Sequence, residues 1–215
     1  MAAYLTINTL AEISCTLIAL FCLTREHSPL WRGLGIYLFL VCLVELSGIY
    51  LRNTGRHNYG LYNAILPLEC LTMSLLFREF YRPYIRTPLL FSGWMALFIM
   101  VYSAELYTSR MMTFCYRTAA LISVVFVIAS LYFYLLILKD TRFIKLATYP
   151  PFWIVNGILF FYFGSTVSNV FFDYLAQDHK IQLSSSIRYI TFNILNVLLY
   201  TCWSYAFICR YRQKN

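Results

Sequence analysis

Seven stretches of roughly twenty mostly apolar residues, joined by short connectors, leave this chain few ways to fold. They run approximately over Tyr4–Leu23, Gly33–Leu51, Leu61–Tyr81, Pro88–Tyr107, Thr113–Lys139, Pro151–Tyr174 and Ile187–Arg210. In hydrocarbon every backbone N–H and C=O needs a partner within the protein, and a helix supplies those partners inside one segment. The expectation is therefore an all-α integral membrane protein, with seven transmembrane helices in one domain over residues 1–215. Composition agrees: 60% of residues are hydrophobic and 12% charged, where a soluble domain carries about a quarter charged residues. Met1 to Leu10 has no basic leader, and Glu12 interrupts the first apolar run, so that helix is expected to be retained.

Prolines punctuate the ends of these segments at Pro83, Pro88, Pro150 and Pro151. Pro67 is internal and is expected to kink or locally open its helix. Arginine and lysine give the orientation. Arg25, Arg32, Arg78, Arg82, Arg86, Lys139, Arg142, Lys145, Arg210, Arg212 and Lys214 fall on the side that carries the C-terminal tail. Arg52, Arg56, Arg110, Arg117, Lys180 and Arg188 fall on the other. This asymmetry places the N-terminus outside and the C-terminus in the cytoplasm. Trp31, Tyr81, Tyr107, Tyr149 and Tyr174 suit interfacial belts.

The net charge of +8 lies in short loops, which is a topology signal, so no nucleic-acid partner is expected. The seven cysteines form no CxxC pair and read as small buried hydrophobes. No lysine lies inside a span, which leaves no retinal Schiff base. His27, His57 and His179 are loop residues, so haem and zinc chemistry have no support and no cofactor is expected.

Against this apolar background stand Glu12, Glu45 and Glu69. A carboxylate inside a membrane helix is costly unless neutralised, paired or wet, and so marks a functional site by default. Helical rise puts all three roughly 9–12 Å inside the outer boundary, with Asn193 and Asn196 at similar or slightly greater depth. Helical spacing sets Tyr4, Asn8, Glu12, Cys15 and Ala19 on one stripe, and Tyr189, Asn193, Asn196, Tyr200 and Trp203 on another. Tyr62 stacks above Glu69, and Glu45 shares a face with Cys42, Gly48 and Arg52. Lipid offers such stripes no partners, so they should converge on the interior.

Two readings follow. The acids pair with bases on the same side, Arg52, Arg56, His57, Arg188 and Arg117 (which could reach Glu105), or with the asparagines, and fix helix register, or they line an outward-facing pocket for a small ligand or ion. Taken together, Glu12, Glu45, Glu69, Tyr62, Asn193, Asn196, Tyr200, Arg52 and Arg117 form the candidate ligand-binding set, with no catalytic or metal-binding residue assigned. Glu105, near the membrane boundary, reads as structural. Gly157, Gly164 and Ser168 read as a close-packing seam, Asn156 as a cap or interhelical bond, and Arg78, Glu79 and Arg82 as a headgroup anchor.

The third segment, from Tyr62-Asn63 to Tyr81-Arg82, aligns without gaps onto the seventh, from Phe192-Asn193 to Tyr211-Arg212. This suggests a weak parallel three-plus-one-plus-three repeat. The runs Leu61-Tyr-Asn-Ala-Ile-Leu-Pro-Leu-Glu69, Pro151-Phe-Trp-Ile-Val-Asn-Gly-Ile-Leu159 and Asn193-Ile-Leu-Asn196 carry a resemblance. The chain resembles a family of small uncharacterised seven-helix inner-membrane proteins of Bacteroidota, which implies a multi-pass protein of the bacterial inner membrane. Pro67-Leu-Glu69 also resembles the Pro-x-Glu-acid motif of membrane lycopene cyclases, but Cys70 stands where that motif has its second acid.

The function favoured by these residues is non-enzymatic binding of a small ligand or ion, coupled to sensing through a cytoplasmic or membrane protein partner. The alternatives are transport of a small solute and a membrane enzyme that uses the glutamates as acid and base on a lipid or isoprenoid.

Overall fold

The computed structural model describes residues 6–24, 26–85, 88–141, 145–177 and 181–214, without side chains between 170 and 188. Tyr4, Arg25, Arg86, Arg142, His179 and Lys180 lie outside the described residues, as do the side chains of Tyr174 and Arg188. Seven α-helices make up the described chain: α1 (Ile7–Leu23), α2 (Pro29–Asn53), α3 (Tyr59–Tyr81), α4 (Pro88–Ser109), α5 (Tyr116–Lys139), α6 (Pro150–Gln177) and α7 (Ile181–Arg212). Six of them, α2 to α7, contain segments long and apolar enough to cross a membrane, while α1 is a shorter apolar helix of 17 residues. Leu89, Tyr107 and Leu138 are at least 80% exposed on the bundle's outside, an apolar surface that calls for lipid contact.

Neighbouring contacts close α1, α2, α3, α5, α6 and α7 into a ring, with α4 packed outside against α3 and α5. Phe126, Phe133, Ile154, Ile158, Trp203 and Phe207 fill the interior. Of α4, only Phe98 is buried. The seam expected on α6 is present. A Cβ on Gly157 would stand 2.9 Å from Trp203, and one on Gly164 would stand 2.4 Å from Leu195, so bare backbone there lets α7 come close. Asn156 makes an interhelical bond, accepting from the Tyr134 hydroxyl.

Helix α3 runs unbroken through Pro67. Proline has no N–H, so the Asn63 carbonyl four residues earlier loses its helical donor. The Tyr102 hydroxyl on α4 donates to that carbonyl instead, at 3.0 Å. The buried Asn63 side chain works at the same place. Its Nδ2 donates to the Thr113 carbonyl at 2.9 Å and its Oδ1 accepts from the Cys115 amide at 3.0 Å. These bonds hold a turn in which Arg110 and Met111 both have positive φ, 47° and 59°, a conformation that costs energy in residues with a Cβ.

Candidate functional site

Four helices enclose a cavity of about 160 Å³. Helix α2 contributes Tyr37 and Glu45, α3 contributes Tyr62 and Glu69, α6 contributes Phe161 and Tyr162, and α7 contributes Asn196, Tyr200 and Trp203. On α3 the seven-residue step from Tyr62 to Glu69, and on α7 the steps of four and three through Asn196, Tyr200 and Trp203, put these groups on one inward stripe of each helix. Val41, Ile65 and Met73 complete the wall between the polar groups.

Both carboxylates are met by tyrosines from other helices. The Tyr62 hydroxyl donates to Glu45 Oε2 at 3.0 Å. The Tyr162 hydroxyl donates to Glu69 Oε1. Gly48, one turn beyond Glu45, makes the first bond possible, since a Cβ there would stand 2.5 Å from the Tyr62 oxygen. Tyr37 is buried in the same wall. Among the described residues no arginine, lysine or histidine lines the cavity.

Glu12 sits behind this wall on α1, 2% exposed, with the Tyr200 hydroxyl beside its carboxyl. It is close enough to Glu45 for the two charges to interact. Among the described residues its Oε1 has no hydrogen-bond partner, and neither does the buried Oδ1 of Asn8 one turn away. The three glutamates do not close into a metal site. Among the described residues no group of three His, Cys, Asp or Glu is placed to hold an ion.

Of the residues expected from sequence, Glu45, Glu69, Tyr62, Asn196 and Tyr200 meet in the cavity, and Glu12 lies against it. Asn196 also ties back to its own helix, donating to the Phe192 carbonyl at 3.0 Å. Asn193 is half-buried one turn away and does not line the cavity. Arg52 is exposed at the end of α2, where its charge reaches Tyr62 but its side chain stays out of the cavity. Arg117 is exposed at the start of α5 and does not line it. Its backbone amide, rather than its guanidinium, meets Glu105, at 3.0 Å. Glu105 also takes the Thr118 amide at 2.8 Å and hydroxyl at 2.7 Å, and so caps the start of α5.

Sequence reasoning missed Tyr37 and Tyr162. The signal for Tyr162 was its place with Ile158 and Ser165 on the buried face of α6. It also missed Glu26, in the α1–α2 connection at the opposite end of the bundle. Glu26 is 2% exposed and accepts from Arg210 Nε at 3.0 Å, Lys214 Nζ at 2.6 Å and the Ser28 amide at 2.9 Å. Burial alone would raise its pKa. The bonds from Arg210, Lys214 and Ser28 outweigh that and bring the carboxyl down to about 2.

The chain matches no protein-family model, no curated protein and no solved structure.

Proposed function

We propose that this protein is a seven-span protein of the bacterial inner membrane that binds a small organic cation in the α2–α3–α6–α7 cavity. The observation that carries the reading is a cavity holding Glu45 and Glu69, walled by Tyr37, Tyr62, Tyr162, Tyr200 and Trp203, and lined, among the described residues, by no basic side chain. Carboxylates in a membrane interior need a counter-charge or a proton. Aromatic faces around such acids form the kind of cage that holds ammonium groups. A volume of about 160 Å³ suits an alkylammonium rather than a bulky ligand.

The loop arginines and lysines support an N-terminus outside, which opens the Glu45 and Tyr62 end of the cavity outward. Toward the other end the lining becomes apolar, with Met73, Leu38 and Trp203. That closed floor favours binding read by a partner over passage of a solute. The seven spans include α1, whose 17 residues reach across with the help of flanking side chains.

The test is calorimetric titration of the purified protein with tetramethylammonium, ethylammonium and sodium chlorides, and with tert-butanol as an uncharged shape match. Saturable binding of an alkylammonium is expected, with tert-butanol silent. Glu45→Gln and Glu69→Gln should each weaken it about tenfold or more, the loss of roughly one charge-assisted contact. Equal binding by both variants, or none of any cation by the native chain, sinks the reading.

A further inference from the structure

A second concavity, of about 1020 Å³, opens between α2 and α3 at the end of the bundle where the C-terminal tail lies. Its walls are apolar along Gly33, Leu68 and Leu75, and its mouth carries Arg78, Glu79 and Arg82. From Arg78 to Leu68 the α3 wall rises roughly 15 Å at helical pitch. That is half of the roughly 30 Å hydrocarbon core, the depth of an acyl chain within one leaflet.

The charge at the mouth selects among amphiphiles. Glu79 pairs with Arg82 at 3.4 Å, which leaves the mouth with a net positive charge. The Arg78 guanidinium lies over the Phe91 ring of α4, 5.2 Å from its centroid. Stacking occupies the flat face of a guanidinium and leaves its N–H edge, a fork that matches two phosphate oxygens. Toward the far end Tyr37 and Leu40 line the groove, and among the described residues Tyr37 alone lines both this groove and the inner cavity.

We propose that this groove is a binding site for an anionic phospholipid, its phosphate held by Arg78 and Arg82 and one acyl chain laid along Gly33 and Leu68 as far as Tyr37. The site is independent of what the inner cavity binds.

Gly33 gives a clean test. A Cβ there meets nothing within 4 Å, so Gly33→Leu has open space in which to extend into the groove. Native mass spectrometry would follow the intact protein titrated with phosphatidylglycerol or phosphatidylcholine, alongside thermal unfolding to confirm that each variant is folded. The native chain is expected to retain phosphatidylglycerol in preference to phosphatidylcholine. Arg78→Gln and Arg82→Gln should each cut that preference about fivefold, and Gly33→Leu should remove the adduct while leaving the unfolding midpoint in place. Equal uptake of the two lipids by the native chain overturns the proposal. So does loss on arginine substitution with no loss in Gly33→Leu, which would put the lipid on the surface. Loss in Gly33→Leu with no effect of either arginine would mean an apolar cleft blind to headgroup charge, and overturns it as well.

Discussion

Tyr62 reaches Glu45 across bare backbone: its hydroxyl donates at 3.0 Å by passing over Gly48, where a Cβ would lie 2.5 Å from the same oxygen. The hydrogen bond and the glycine are thus one feature. Gly48→Ala should displace Tyr62 from Glu45 and cost about 1–3 kcal/mol of unfolding free energy in micelles. Tyr62→Phe removes the bond and should cost about 0.5–1.5 kcal/mol. Because the phenyl ring no longer carries the clashing oxygen, the double variant should be distinctly more stable than the sum of the two losses. Additive losses would show that the glycine and the bond are unrelated.

Glu26 predicts an acid transition. Its folded pKa of about 2 lies below the ordinary value of 4.5, so the stabilisation it supplies is complete above about 4.5 and is lost as pH falls toward 2. Unfolding midpoints measured from pH 7 to pH 2.5 should fall across that window. Glu26→Gln should be less stable at pH 7 by about 1–3 kcal/mol and should lose less on acidification. A native chain and a Glu26→Gln variant with parallel pH profiles would mean that Arg210 and Lys214 do not hold this carboxylate in solution.

The Tyr102 hydroxyl stands in for the N–H that Pro67 lacks. Tyr102→Phe leaves the Asn63 carbonyl without that donor and should cost about 1–3 kcal/mol. In a Pro67→Ala background the helical N–H returns at position 67, and the same tyrosine substitution should cost little. Guanidine or thermal unfolding of the four proteins of this cycle measures the difference. An equal cost of Tyr102→Phe in both backgrounds would mean that the hydroxyl acts elsewhere.

Much of the site was legible because its residue types are expensive where they stand. Glu45, Glu69, Asn196 and Tyr200 are polar groups at periodic positions of apolar helices, and periodicity places them on inward stripes before any packing is known. Arg117 illustrates the limit of that logic. It lies at the right end of the right helix, but what Glu105 takes from that position is a backbone amide, and the guanidinium stays outside. Arg52 likewise has the sign a counter-charge needs, yet tyrosines meet the cavity carboxylates, and no sequence rule ranks a tyrosine above an arginine as partner.

The sequence by itself determined the helices and their lipid-facing character, because both follow from apolar length and from the backbone's need for internal hydrogen bonds. It also determined that the buried glutamates required an explanation. Tertiary structure alone decided their partners. Tyr162 lies 93 residues from Glu69, and Arg210 and Lys214 lie 184 and 188 residues from Glu26. Contacts at such separations depend on the order in which helices close a ring and on where a glycine lets two of them approach. Local pattern carries no record of either.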